Sequence, residues 1–410
     1  MKKILSSMTA AICTAALIFP SAISLTASAA EYSADGYTLT YTISGSSAVI
    51  TDYSGTVTSL TIPSSVGGYT VTAIDSEAFA EVSGLTDVTI PDSVTSIDER
   101  AFWNCKSLKN VFLGSGVSQI GTYAFSACPR LDSFSVSASN STYTAVNGML
   151  YSYDGSTLIS YAGGSSADVP EGTKTIGKAA FFGNSALNSV KLPSGLTSIG
   201  DYAFSGCFSL GKVSVPLTVT SLGKGSFMNC SVLTEVTLGA GLRDIPEECF
   251  SMCTSLESIY ISSNITKIGA GAFFSCQKLA GIYIPASVVS IGTDAVGTHY
   301  NIRTGKNEPF KDFYITGDRG SAAHKYAIAT GFDFIDSMTP PYGDVDADGY
   351  VNAVDASLVL TEYAKTATGN PSTLTFYERT AADYNCDGAI NALDASLILT
   401  EYAENATNQM

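Results

Sequence analysis

Two twelve-residue stretches near the C-terminus carry oxygen side chains at the spacing a hard cation needs. Asp344–Asp355 reads D-V-D-A-D-G-Y-V-N-A-V-D, and Asp383–Asp394 reads D-Y-N-C-D-G-A-I-N-A-L-D. Oxygen-bearing residues fall at positions one, three, five and twelve, with Gly at six and an aliphatic at eight. Calcium takes roughly six to eight oxygens, and Gly at position six permits the turn that folds the ligands around the ion. Asp344, Asp346, Asp348 and Asp355, with the backbone carbonyl of Tyr350, are therefore predicted to hold one Ca2+. Asp383, Asn385, Asp387 and Asp394, with the carbonyl of Ala389, are predicted to hold a second. Asn352 and Asn391 would reach the ions through water.

Each loop runs into nearly the same helix, V-N-A-V-D-A-S-L-V-L-T-E-Y-A at 351–364 and I-N-A-L-D-A-S-L-I-L-T-E-Y-A at 390–403. Eleven of the fourteen positions match, and the three changes are aliphatic swaps. Two calcium clips that only stabilise a small domain would account for the ligands. They would not account for outward helix faces that are duplicated as well. From Gly343 to Ala403 the chain resembles a type I dockerin, the module that plugs proteins into cohesin domains of a cellulosome scaffoldin. The resemblance implies that each loop is followed by a helix but lacks a preceding one. It also implies that Asp355 and Asp394 stand where a full EF-hand carries Glu. Cohesin recognition would fall on Ala353, Val354, Leu360 and Thr361, matched by Ala392, Leu393, Leu399 and Thr400. Ala-Val and Ala-Leu replace the Ser-Thr pair of many relatives, which implies an apolar cohesin partner. The near-symmetry suggests binding in two orientations related by a half-turn.

The rest of the chain must carry whatever this tail docks. Its 410 residues hold 21 Lys+Arg against 37 Asp+Glu, a net charge of −16, and more than half of that excess lies in 343–410. Without a basic patch to neutralise phosphates, nucleic acid is not an expected partner. Residues 1–29 read as a secretory signal: Lys2 and Lys3, an apolar run at Ala10–Ile18, and the small-residue site Ala27-Ser28-Ala29. No later run is apolar over the ~18 residues a membrane span needs. A secreted, extracellular protein associated with a cellulosome or the cell surface is expected.

Upstream of the loops one unit is written repeatedly. Phe79, Phe102 and Phe125 are 23 residues apart, and so are Phe181, Phe204, Phe227, Phe250 and Phe273. An aliphatic stands five residues before each, from Ile74 to Ile268, and a fading copy keeps Ile291 but has Val296 for the aromatic. A fixed period of this size means a solenoid, in which each coil buries its apolar row against its neighbours. Segments such as Leu187/Val190/Leu192, Leu210/Val213/Val215, Leu233/Val236/Leu238, Leu256/Ile259/Ile261 and Leu279/Ile282/Ile284 predict one parallel strand per coil. Pro often follows and, lacking an N–H, stops the ladder. The Ala-Phe stretch would form the return. This unit, I-G-x-x-A-F-x-x-C-x-x-L-x-x-V-x-L-P, resembles the BspA-like leucine-rich repeat family. The expected fold is thus a β-rich leucine-rich repeat solenoid followed by a small all-α calcium-binding domain.

The predicted divisions are a signal peptide at 1–29, a β cap at 30–70, the solenoid at 71–335 with its closing cap at 313–335, a linker at 336–342 and the calcium domain at 343–410. Between 132 and 175 the Phe spacing breaks. Asp154-Gly155 lies there between two alternating runs and predicts a hairpin, expected to project from the stack.

Six cysteines, Cys105, Cys128, Cys207, Cys230, Cys253 and Cys276, sit three residues after the repeat Phe, with Asn184 at the same slot. That regularity predicts stacked, buried free thiols, with Cys249 also in the core. Cys386 is a spacer in the second loop, and with no CxxC pair, zinc is not expected. His299 and His324 lack neighbours that would recommend a nucleophilic site. Asp87, Asp132, Glu235, Glu257 and the Glu247-Glu248 pair read as solvated acid rather than a glycosidase pair.

Side chains between the inward residues of each strand face outward: Thr89, Phe112, Ser135, Lys191, Ser214, Thr237, Tyr260 and Tyr283, with Tyr314 extending the row. Phe112, Tyr260, Tyr283 and Tyr314 form a candidate ligand face for plant-wall glycan or protein, although cross-strand Tyr pairs also stabilise sheets. No catalytic residue is assigned. The sequence reads as a non-catalytic binding protein on a scaffold. An enzyme with its site on the solenoid or insertion, and an adhesin or protein inhibitor, are the alternatives.

Overall fold

The computed structural model describes residues 29–162, 164–337, 342–346, 350–385 and 387–408. The signal segment up to Ser28, the Thr339-Pro340-Pro341 joint, Asp348 and Cys386 lie outside the described residues. Among the described residues no helix is long and apolar enough to cross a membrane.

The chain is a right-through stack of short coils opened by an antiparallel meander. Strands β1 (Ala30–Ala34), β2 (Tyr37–Ser44) and β3 (Ser47–Gly55) pair in order, and β3 then pairs in parallel with Tyr69–Ile74. From there pairing is between equivalent positions one coil apart. Asp87–Ile90, Asn110–Leu113 and Ser133–Val136 form one parallel ladder, Val88 opposite Val111 and Val111 opposite Phe134. Their alternating burial follows from the two-residue period of a strand. Ile74, at the end of Tyr69–Ile74, begins a second ladder that continues in two-residue strands at Ile97 and Ile120, resumed at Ile176, Ile199 and Leu222 and again at Ile245, Ile268 and Ile291. Each coil therefore adds a second short strand to the one anticipated. In the coil of Leu256, Ile259 and Ile261 the anticipated strand is absent: Leu256 and Ile261 are buried, but burial holds the coil's path without strand pairing.

The return segment supplies a third set of coil-to-coil bonds. Phe79, Phe102, Phe181 and Phe204 donate their N–H to the residue preceding the next Phe, at 2.8 Å in each case. Two residues before and two after each Phe, the backbone is left-handed, as at Glu77, Arg100, Tyr123, Tyr202 and Glu248 before it and Glu81, Asn104, Asn229 and Met252 after it. Such conformations cost of order 1 kcal/mol each in non-Gly residues; here they recur in coil after coil because they aim every second N–H at the neighbouring coil.

The core is a column of rings. Phe79, Phe102 and Phe125 stack at 4.8 and 5.3 Å, led by Tyr53 at 5.1 Å. Phe181, Phe204, Phe227, Phe250 and Phe273 stack at 4.6–5.5 Å, led by Tyr161 at 4.6 Å. Beside this column the six repeat thiols each donate to the carbonyl of the Phe one coil earlier, at 3.1–3.3 Å. All are free; Cys128 is half-buried, and the other five are buried, as is Cys249.

The insertion does not project. Tyr143–Val146, Met149–Ser152 and Thr157–Ser160 form an antiparallel meander, turning at Asp154-Gly155, and the last strand pairs in parallel with Thr175–Ile176. Leu150, Tyr151 and Leu158 are fully buried in the core. Met149, Leu150 and Tyr151 are consecutive and all buried, so both faces of this strand need cover, and the insertion sits within the stack. On the return edge the stack closes past the insertion, the N–H of Ala127 donating to the carbonyl of Phe182 at 3.1 Å.

A strand–helix–strand unit stands at the far end. Tyr314–Gly317 and Asp333–Asp336 continue the main ladder, joined by α1 (Ala322–Thr330), which is capped by Ser321 and ended by left-handed Gly331. The C-terminal unit holds α2 (Ala353–Ala367), α3 (Phe376–Ala382) and α4 (Ala392–Asn408) around Val345, Ala356, Val359, Ala381, Ala382, Ala395 and Ile398. A short helix, α3, does precede the second loop, which the resemblance did not lead us to expect. Its capping box, Thr375 with Glu378, satisfies the first N–H groups and lets so short a helix form.

Candidate functional site

The first acidic loop is built around the residue that ends it. Asp355 is fully buried at the start of α2, where it accepts the N–H of Asn352 at 2.8 Å on one oxygen and those of Val345 and Asp346, at 2.7 and 3.2 Å, on the other. It thereby ties the beginning of the loop to its end and closes the helix's capping box. Asp344, Asp346 and Asp355 bring carboxylate oxygens within 4.8 Å of one another. Three like charges so close repel, and an all-oxygen set suits a divalent cation of the calcium kind. The residues fit that ion. It would neutralise the cluster and hold the loop closed.

The second loop repeats the plan with one acid fewer, since Asn385 stands where the first loop has Asp346. Asp394, also fully buried, accepts the N–H groups of Asn385 and Asn391 at 3.3 and 2.9 Å. Asp383 accepts the N–H groups of Asp387 and Gly388 at 3.0 and 2.9 Å, and the side-chain amide of Asn385 donates to Asp387 at 2.9 Å. Gly388 has a φ of 84°, which is the turn that required glycine. The position-seven carbonyls of Tyr350 and Ala389 accept the side-chain amides of Asn352 and Asn391, at 3.3 and 2.9 Å. Among the described residues, only the first loop gathers three acid oxygens within 4.8 Å.

Beyond the loops, α2 and α4 present matched surfaces. Ala353, Val354, Leu360 and Thr361 are all exposed, as are Ala392, Leu393, Leu399 and Thr400. Exposure is nearly equal within each pair: Val354 54% and Leu393 53%, Leu360 44% and Leu399 43%. Thr361 and Thr400 donate their hydroxyls to the carbonyls of Ser357 and Ser396, at 2.8 and 2.9 Å, so neither hydroxyl offers its proton outward. Tyr363 and Tyr402 extend both surfaces and were missed in the sequence reading; their place one turn after Leu360 and Leu399 was the available signal. Inward, the duplicated acids diverge. Glu362 accepts the N–H and hydroxyl of Thr373, while Glu401 accepts the hydroxyl of Tyr384 at 2.6 Å.

On the solenoid the candidate ligand face is split. Tyr260 and Tyr283 occupy successive coils and are well exposed, but Phe112 lies several coils away, beyond the insertion. Tyr314 does not extend the row. It stands opposite Gly281, where its ring fills the room a side chain would need, and Tyr283 is opposite Thr316 instead. The acids weighed as catalytic pairs are engaged at the surface: Glu235 with Lys212 at 2.7 Å, Glu257 with Lys278 at 3.2 Å, and Glu247 and Glu248 with Lys224. Asp87 takes the hydroxyl of Thr86 and the amide of Asn110, which hold its carboxyl below the usual range. His299 stacks on Phe310 opposite Glu308, and His324 accepts the N–H of Gly320.

Parallel coils of this construction with an apolar ring column define a leucine-rich repeat solenoid. A family model of the BspA type leucine-rich repeat region matches residues 52–153 and 167–303 in six copies, and the chain belongs to that family. Residues 342–401 match the type I dockerin domain, so the C-terminal unit is a dockerin. No curated protein matches the chain. Similar solved structures include a leucine-rich repeat protein from Eubacterium ventriosum (21% identity, 64% of this chain and 86% of that one, TM-score 0.45). A leucine-rich cell surface protein from Faecalibacterium prausnitzii is 22% identical over 68% of this chain and 97% of that one, with a TM-score of 0.37. The pneumococcal vaccine antigen PcpA is 18% identical over 76% and 99%, with a TM-score of 0.36.

Proposed function

We propose that this protein is a secreted, non-catalytic component of a cellulosome, held on the scaffoldin through calcium-dependent binding of its dockerin to a cohesin, while the solenoid presents a surface to a glycan or protein ligand. Two Ca2+ ions would be held, one by Asp344, Asp346, Asp348, Asp355 and the Tyr350 carbonyl, the other by Asp383, Asn385, Asp387, Asp394 and the Ala389 carbonyl. The observation that carries the reading is the equal exposure of Val354 and Leu360 with Leu393 and Leu399. Apolar side chains kept at the surface in two matched copies are costly to solubility and are explained by a partner that covers them. The cohesin would meet Ala353, Val354, Leu360 and Thr361 in one orientation and Ala392, Leu393, Leu399 and Thr400 in the other.

The test is binding of the full chain to recombinant cohesins by calorimetry, in calcium and in excess chelator. Complex formation that needs calcium supports the reading; binding to no cohesin, or equal binding in chelator, overturns it.

A further inference from the structure

On the return edge, the residue directly after each core Phe forms a row that alternates in size. It runs Ala80, Trp103, Ser126, Phe182, Ser205, Met228, Ser251, Phe274. The row is continuous, because each carbonyl in it after Trp103 accepts an N–H from the coil before: Asn104 to Ser126, Ala127 to Phe182, Gly183 to Ser205, Gly206 to Met228, Asn229 to Ser251 and Met252 to Phe274, all at 2.7–3.1 Å. The four large side chains are partly exposed, while Ser205 and Ser251 are buried between them. Two cavities open along the row. One of 360 Å³ is lined by Trp103, Tyr123 and Phe182 with Glu77 and Arg100. One of 570 Å³ runs from Met228 over Ser251 to Phe274, with Glu248, Asp294 and Asn307 among its walls.

We propose that this ribbed edge, and not the Tyr260/Tyr283 sheet face, binds a neutral, extended, β-linked polysaccharide lying along the solenoid axis. The proposal rests on the reading that the solenoid presents a ligand-binding surface, and it names where and for what. Rungs of parallel strands lie ~4.8 Å apart, so the large residues recur about every 10 Å. That is close to the advance of one disaccharide unit in a β-linked chain. An extended polypeptide repeats its side chains on one face about every 7 Å, out of step with the row. Rings and a thioether offer apolar platforms for the C–H faces of sugars. The polar groups in the walls are of both kinds: the guanidinium of Arg100, 3.5 Å from Glu77 and over the ring of Tyr123, and the carboxylate of Asp294 bonded by Asn307 at 2.8 Å. Such groups suit hydroxyls. A polyanion would meet Glu77, Glu248 and Asp294, and Arg100 already pairs with Glu77.

Trp103 is the single tryptophan of the chain, so its emission reports on this edge directly. Full-length protein is titrated with cellohexaose and xylohexaose, and its mobility is followed in gels containing β-glucan or xylan. A saturable change in emission, with retention in the gel, is expected. Met228→Ala, Phe274→Ala and Ser126→Phe, the last filling one gap without removing any core residue, should each weaken retention about tenfold, while Tyr260→Ala/Tyr283→Ala leaves it unchanged; circular dichroism establishes that each variant is folded. Retention lost in the tyrosine variant but kept in the edge variants overturns the proposal while leaving a glycan-binding solenoid standing. Binding of neither glycan, or binding of unfolded casein in their place, overturns the proposal, while cohesin binding separately tests the docking half of the function.

Discussion

The thiol of Cys230 donates to the carbonyl oxygen of Phe204 at 3.2 Å, bridging one coil to the one before it. Burial pushes the thiols of Cys230, Cys249 and Cys276 up to about 12, from an ordinary value of 9.0. The thiolate is the reactive form, so these cysteines are inert while the coil is intact. Iodoacetamide at pH 8 should leave them unmodified in native protein and label them fully in denaturant, read by mass spectrometry.

The same groups set an alkaline limit. In the folded state the thiols keep their protons to about pH 12, whereas in the unfolded chain they lose them near 9.0. The unfolded state then binds fewer protons, so stability is complete below pH 9 and falls as pH rises through that window. Melting temperature measured from pH 7 to 11 should be flat at first and then decline. Replacing Cys230 and Cys276 by Ala should flatten the decline.

Calcium removal should act on one unit only. The clustered carboxylates of Asp344, Asp346 and Asp355 repel without an ion. Chelator should unfold 343–403 and abolish cohesin binding, while the β signal of the solenoid stays. Asp355→Ala should do more than remove a ligand, because it also deletes a capping interaction of about 1 kcal/mol.

If the matched surfaces work in alternation, each can substitute for the other. Leu360→Asp or Leu399→Asp alone should change cohesin affinity by about twofold or less, as one of two orientations is lost. The double variant should lose about a hundredfold, as expected for buried apolar anchors. A full loss from either single variant would assign one fixed orientation.

The ring column is a stability axis. Phe227 is fully buried between Phe204 and Phe250, and Phe227→Ala should cost about 3–5 kcal/mol. Denaturant unfolding should show the loss in the coils after the insertion, since Phe79–Phe125 belong to a separate core cluster.

Much of this was readable before the structure. Phe at a fixed spacing with Ile five residues earlier dictates stacked coils, and the oxygen spacing of Asp344–Asp355 anticipates the gathering of Asp344, Asp346 and Asp355. The left-handed return was not readable, because Glu77, Arg100 and Tyr123 take a conformation that sequence reasoning assigns to Gly. Nor was the place of the insertion, since the apolar run Met149-Leu150-Tyr151 marks a strand without saying which neighbours cover its two faces. The size alternation from Trp103 to Phe274 was present in the sequence but acquires meaning only once the return segments are known to stack. Tyr314 was misassigned because the cap enters the ladder two residues out of phase with the outward row.

The meander at 143–160 opens onto parallel coils just as β1–β3 does at the start, and Tyr161 heads the second ring column as Tyr53 heads the first. Such a chain has the anatomy of two arrays fused end to end, with the opening piece of the second kept at the join. Lengthening by whole units can then occur on either flank of that join, leaving the terminal lid and the tethering tail untouched.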